Sequence, residues 1–255
     1  MEVFKGFFDV SAGLRPEVIS SLIVMGIVMI LAFIVAIQAR FQDPLKKPKG
    51  LLFLAEVGVE FFDGLVLDLM GPKFKGFGGY IMAVAVYLFI AFIFGLTGLP
   101  SPVTNLAVPL SLALITFILI HATSVKYTKF KYFKRYIEPL PFFLPINLIS
   151  MWAPLLSMSL RLFGNAISGW CLMTIVYVGL QNLSAMVFGF INVAGSAVLW
   201  NELFFAPIVA PVLHLYFDIF SGFIQTTIFI FLTMINIGLE APEEEDIQEM
   251  TMERR

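Results

Sequence analysis

Two sets of polar side chains recur at helical spacing inside otherwise apolar sequence. Ser157, Arg161, Asn165 and Ser168 are separated by 4, 4 and 3 residues, and His214, Asp218, Ser221, Gly222 and Gln225 by 4, 3, 1 and 3. On helices each set falls on one face. Arg161 is the most informative of them. A guanidinium keeps its proton in proteins, so it cannot escape an apolar medium by becoming neutral. Its cost at a bilayer centre runs from about 2.5 to above 10 kcal/mol, and a chain that carries it there generally uses it on an ion or a substrate. Two such stripes packed antiparallel would bring Arg161 toward the stretch from Gln225 to Asp218. Together they would make a hydrophilic path beside a fixed cation.

The rest of the chain is what such a path needs around it. Of 255 residues 59% are hydrophobic and 13% charged, against about 25% charged in a soluble domain. There are 28 phenylalanines, and the mean hydropathy is +0.92. These values describe one polytopic membrane domain over residues 1–255. The N-terminal segment carries Glu2, Asp9 and Glu17, and the apolar run after it is too long for a signal peptide, so the first span is expected to be retained. Cys171 lies in an apolar run and reads as a small packing residue.

A span takes about 20 apolar residues. Residues 18–38 qualify, and 78–124 contains two more as a helical hairpin. Between them, 50–70 places Glu56, Glu60, Asp63 and Asp68 on one side of an apolar helix, the pattern of a helix lying at the membrane interface. Residues 140–180 and 185–239 are apolar runs too long for one upright span. Each either breaks into two spans or forms one long tilted helix, with Pro154, Pro207 and Pro211 as expected kinks. The fold expected is all-α.

Basic residues set the orientation. Arg40, Lys46, Lys47, Lys49, Lys73 and Lys75 lie between the first two spans, and Lys126, Lys129, Lys131, Lys134 and Arg135 follow the third. The connection at 97–105 has neither Lys nor Arg. By the positive-inside rule that connection is external, as is the N-terminus (1–17), and the acidic tail (240–255) is cytoplasmic.

Plainer readings stand beside the functional one. Arg161 and Asp218 could form a buried structural ion pair, and His214 with Asp218 a local pair along one helix. Asn165 and Gln225 could be interhelical hydrogen-bonding residues worth about 0.6 kcal/mol each. Glu202 lies near the external side, at the interface or at the mouth of a path. His121 reads as interfacial. No nucleophile elbow, zinc-protease motif or phosphate-binding lysine loop is present. The two histidines, His121 and His214, exclude a multi-histidine metal site. No cofactor, metal or nucleic acid is expected.

The segment SLRLFGNAISG (159–169), with FDIFSGFIQTTIFIFLTMINIG (217–238) about 50 residues later, resembles the subunit a family of bacterial F-type ATP synthases. KYFKRYIEPLPFFLPINLIS (131–150) is similar to the family's segment before its arginine helix, whereas the first 75 residues match only in layout. The resemblance implies a stator subunit in the bacterial cell membrane, pressed against a rotating c-ring and held by peripheral-stalk b subunits and the remaining synthase subunits. It implies two long tilted helices following the ring and two offset aqueous half-channels. The family's essential arginine corresponds to Arg161, and its polar half-channel residues to Asn165 and Gln225. Ser168, His214, Asp218 and Glu202 are then further candidates for the ion path. The cation would favour the ionised form of each ring carboxylate and block direct passage between the half-channels. The translocated ion expected is the proton. The subunit itself would carry no ATP chemistry.

One position departs from the family pattern. Many bacterial relatives have an acidic residue directly after the glycine of the arginine motif, and here it is Trp170. The acidic function would then have moved to Asp218. The competing reading is a secondary transporter or channel with Arg161 as an anion-binding residue. Such transporters commonly show internal repeats, and none is visible between the two halves.

Overall fold

A segment that crosses a membrane must satisfy its backbone donors and acceptors internally, and for a single stretch the helix is how this is done. The computed structural model describes residues 15–42, 47–129, 142, 144–188 and 205–241, whose regular structure is helical and without a strand. The described residues contain five helices long and apolar enough to cross a bilayer.

Helix α1 (Pro16–Phe41) starts with a proline, whose missing N–H is not needed there, and with Glu17 in its first turn. Arg40 stands in its last turn, so both charges oppose the helix dipole favourably. Only Ser20 and Val24 of α1 are buried, so the helix lies on the rim of the bundle. Ser21 Oγ and Tyr87 Oη, 2.7 Å apart, tie it to the interior. Helix α2 (Leu51–Met70) is stopped by Gly71, whose φ of 82° suits glycine and whose N–H returns to the Leu67 carbonyl. Glu56, Glu60 and Asp63 of α2 face α1 across an open groove that Val35 and Ala39 also line. Helix α2 is not among the helices apolar enough to span.

Helices α3 (Gly78–Ile93, continued by a 3₁₀ turn Phe94–Thr97) and α4 (Ala107–Thr128) form a hairpin. Its loop is pinned by Ser101 Oγ donating to the Ala91 carbonyl at 2.9 Å. Helix α5 (Leu144–Phe188) has 45 residues and would extend about 67 Å, more than twice a hydrocarbon core of about 30 Å. It runs past residue 180, where the apolar pattern suggested an end. Pro154 lies inside it. The final rod comprises α6 (Ala206–His214), a π-helical turn (Leu215–Phe220) and α7 (Ser221–Gly238). Pro211 lies inside α6, whereas Pro207 is in its first turn. Pro207 is therefore a helix-starting residue and not the kink expected from sequence, since a first-turn proline removes no intrahelical hydrogen bond.

The core lies among α3, α4, α7 and one face of α5, where Ile81, Leu88, Leu162, Met234 and Ile237 are fully buried. Helices in lipid gain little from the hydrophobic effect, so close packing has to hold them. Gly222 shows how close that packing is. A Cβ built on it would stand 2.7 Å from Phe92 Cβ and 3.0 Å from Phe92 Cγ. The Phe92 Cβ is fixed to its backbone and cannot swing away.

Gly222→Ala should therefore force α3 and α7 apart and destabilise the subunit by about 1–3 kcal/mol. Gly26, whose added Cβ would meet nothing within 4 Å, is the control. Thermal denaturation of the two alanine variants in detergent should show a lowered midpoint for Gly222→Ala alone.

Candidate functional site

The site is the seam between α5 and the final rod. Contacts along it fix the two as antiparallel. Asn236 Nδ2 approaches Met158 Sδ at 4.0 Å, Asn165 meets Ser221, Tyr177 meets His214, and the Phe205 N–H donates to Ser184 Oγ at 3.2 Å. As one helix ascends in number the other descends, so the two polar stripes run past each other in reverse order.

At the centre of the seam Asn165 and Ser221 are reciprocal partners. Asn165 Nδ2 donates to Ser221 Oγ at 2.9 Å, and Ser221 Oγ approaches Asn165 Oδ1 at 3.1 Å. One turn further along each helix stand Arg161 and Gln225. The antiparallel register therefore places these two at the same level of the seam. Gln225 is buried, while Arg161 is exposed. The guanidinium donates to Ser157 Oγ at 3.3 Å within its own helix, and no carboxylate among the described residues lies within ion-pair distance of it. Leu160 beside it and Leu172, three turns along the same face, are exposed apolar side chains of α5.

Toward the other end of the seam, His214 Nδ1 meets Asp218 Oδ2 at 2.5 Å across the π-helical turn. His214 Nε2 meets Tyr177 Oη of α5 at 2.9 Å. Asp218 is thus paired with His214 and not with Arg161, which removes the structural Arg161–Asp218 ion pair as a reading. The π turn is seen in the Ser221 N–H, which reaches the Tyr216 carbonyl five residues back. Such a turn adds a residue to the coil and is frequent at functional sites. Within α7, Ser221 faces α5, while Gly222, the next residue and about 100° further round, faces Phe92 of α3 and leaves the stripe.

Beside the trio opens a cleft of about 510 Å³, with Tyr177 and His214 in its wall. Its other lining is apolar and includes Leu96, Pro207, Pro211 and Ile219. Leu96 belongs to the 3₁₀ turn that leads into the 97–105 connection, so the cleft lies at that end of the bundle.

The candidates from sequence thus divide. Asn165, Ser221, Arg161 and Gln225 are brought to one stretch of the seam, and His214 with Asp218 to another. Ser168 donates at 3.1 Å to the Asn165 carbonyl of its own helix and does not reach across. Glu202 lies outside the described residues. Tyr177 was missed. On an ideal helix it stands about 160° round from Arg161, at 100° per residue, so it is off the polar stripe. It belongs instead to the side of α5 that buries Leu155, Leu162 and Met173.

A sequence model of the family described as ATP synthase A chain matches residues 18–238. A protein of Mycoplasma pneumoniae named ATP synthase subunit a is 30% identical, across 94% of this chain and 88% of its own length. One of Oceanobacillus iheyensis with the same name is 27% identical over 85% and 88%. A third, from Propionigenium modestum, is named ATP synthase subunit a, sodium ion specific, and is 30% identical across 69% of this chain and 58% of its own.

The Asn165–Ser221 contact should contribute about 0.6 kcal/mol, the usual worth of an interhelical hydrogen bond in membranes. A double-mutant cycle of Asn165→Ala and Ser221→Ala, followed by unfolding in detergent, should return a coupling energy of that size.

Proposed function

This chain belongs to the ATP synthase A chain family and holds the membrane stator role of the F-type complex, and on that premise we propose that Arg161 is the electrostatic gate between two ion half-paths. The observation that carries the proposal is the placement of Arg161: a permanent cation on an exposed side of a long, otherwise apolar helix, with no carboxylate among the described residues close enough to neutralise it. In lipid such a charge is costly. A carboxylate on a facing partner, the c-ring, would supply the missing counter-charge.

The cycle then runs as follows. A ring carboxylate loaded with an ion is neutral and tolerates lipid. As it arrives at Arg161 the cation favours its ionised form, and the ion leaves into one half-path. The emptied carboxylate passes Arg161 and is reloaded from the other half-path. The guanidinium repels a cation that would pass straight across, so ions travel round with the ring. Each charge moved across 100 mV delivers about 2.3 kcal/mol. Several together drive ATP synthesis on other subunits, and ATP hydrolysis drives the reverse.

The remaining roles follow from the seam. Asn165, Ser221 and Gln225 hold α5 and α7 in register beside the gate. Ser157 orients the guanidinium. His214 and Asp218, next to the cleft at the end bearing the 97–105 connection, belong to the external half-path. Ser168 and Glu202 are further candidates along it. Helices α5 and α6–α7 are tilted to follow the ring. The N-terminus is external and the C-terminus cytoplasmic, and b subunits of the peripheral stalk hold the subunit still. The proton is the ion carried. A secondary transporter is disfavoured, because an anion-binding arginine would be expected to face a cavity of its own chain and Arg161 faces outward.

Arg161→Ala should reduce ATP-driven ion pumping by the whole complex in vesicles to background, and coupled pumping at the normal rate would overturn the gate. Asp218→Asn should slow pumping by about 100-fold, the low end for removing a positioned proton-transfer group. Gln225→Leu should cost less than either, because it touches the register of the seam and not the charge.

A further inference from the structure

Asp218 is the acid of the external half-path, but the cleft does not open on it directly. The polar side chains in the cleft wall are Tyr177 and His214, and Asp218 lies behind them. We infer that Tyr177 is a positioning residue of this path: by bonding His214 Nε2 in either protonation state it holds the imidazole in place against Asp218, and so keeps open the route by which Asp218 accepts and passes a proton. This inference rests on the stator reading above and adds to it a residue and a structural ground for its choice of the proton.

The argument starts from the imidazole. Its two nitrogens are distinct, and the bond made by one sets the proton on the other. A carboxylate accepts and does not donate. Asp218 Oδ2 at 2.5 Å therefore calls for the proton on His214 Nδ1. In the neutral ring Nε2 must then accept, and the Tyr177 hydroxyl at 2.9 Å is placed to donate to it. A hydroxyl can also turn round. When the ring is charged, Nε2 carries a hydrogen and the Tyr177 oxygen accepts it. Tyr177 thus satisfies Nε2 in both states, which a phenylalanine at that position could not.

The pair can load and unload without further partners. Empty, the neutral imidazole and the carboxylate carry one negative charge. One proton from water in the cleft makes the pair neutral overall. Handing one proton to the next acceptor along the seam returns it to the starting charge.

The same contacts select the ion. The apolar cleft presents an imidazole nitrogen and one phenol oxygen, and Asp218 has one oxygen engaged by His214. A hard alkali cation needs several oxygen ligands together, and imidazole is a poor one for it. A proton needs only a continuous set of hydrogen bonds. The trio passes protons and not sodium ions, unlike what the name of the Propionigenium relative states for that protein.

The test uses the whole ATP synthase in liposomes, with a pH-sensitive dye and pumping rates taken per assembled complex. Tyr177→Phe should slow proton pumping by about tenfold, the size of loss that removing the hydrogen-bond partner of a metal-ligating histidine brings at its low end. His214→Phe should slow it at least as much, and the double variant no further, because Tyr177 acts only through His214. A merely structural tyrosine would give losses that multiply. With only two histidines in the chain, ¹⁵N spectra of a complex carrying a histidine-labelled stator subunit give a second readout. The His214 proton should sit on Nδ1 in both, held by Asp218, whereas the Nε2 signal should lose the shift of a hydrogen-bonded nitrogen in Tyr177→Phe. Unchanged pumping in Tyr177→Phe, multiplying losses, or an unmoved Nε2 signal would each overturn the inference. Pumping of sodium without protons by the parent complex would overturn it too, while leaving Arg161 as gate. Coupled pumping by Arg161→Ala would instead overturn the stator mechanism itself.

Discussion

A guanidinium that cannot lose its proton, placed in an otherwise apolar helix, sets the terms for everything around it. In water Arg161 would be unremarked. In a membrane its charge has to be matched by something, and the described part of this chain offers only the Ser157 hydroxyl at 3.3 Å. The acid that could have neutralised it, Asp218, is held by His214 instead. The chain thus keeps its one cation and its one acid of the seam apart, each in a different company. Had they paired, the cation would be spent and the path closed by its own salt bridge. The separation is what leaves Arg161 available to a charge on another molecule.

Keeping them apart requires a rigid register between two long helices in a solvent that gives no hydrophobic drive for their association. The structure meets this with a few short-range devices. Asn165 and Ser221 lock the level of the seam. Gly222 lets α7 approach Phe92 so closely that a methyl group does not fit. Ser184 and the Phe205 N–H close the far end. Each hydrogen bond is weak alone, about 0.6 kcal/mol. Their value lies in fixing one register out of several that an apolar helix pair could adopt.

Much of this was legible in the sequence. Arg161 announced itself because a charge amid apolar residues has a large and known cost. The spacing of Asn165 and Ser221 to Arg161 and Gln225 gave the facing stripes, because both helices are regular there. Three features were not legible. Tyr177 lies on the buried side of α5, where an aromatic residue reads as packing; only the partner helix shows that its hydroxyl has work. The π turn at Leu215–Phe220 is invisible to a count made at 3.6 residues per turn, and it shifts the angular position of His214 relative to the residues of α7. Pro207 looked like a kink because a helix start cannot be told from a helix interior when the flanking residues are equally apolar.

The length of α5 connects the two halves of the site. Tyr177 is 16 residues from Arg161, about 24 Å along the helix axis. In an upright helix that would be most of the depth of the hydrocarbon core, about 30 Å, with the entry station and the gate stacked along the membrane normal. A 45-residue helix cannot stand upright within that thickness. On the tilt proposed for it, roughly 50–60° if its ends are to reach the two headgroup layers, most of the 24 Å becomes sideways displacement. The cleft with Tyr177 and His214 then lies beside the gate, at a distance measured round the partner's circumference and not across the membrane. That offset is the condition for a rotary device: an ion that enters at one station cannot reach the other by a short drop and has to be carried. Trp170, large, exposed and apolar, lies between the stations on α5, where the resemblance would put an acid. On the reading proposed above, the acid that this stretch of α5 lacks is supplied from the other helix by Asp218, held by His214 next to the cleft.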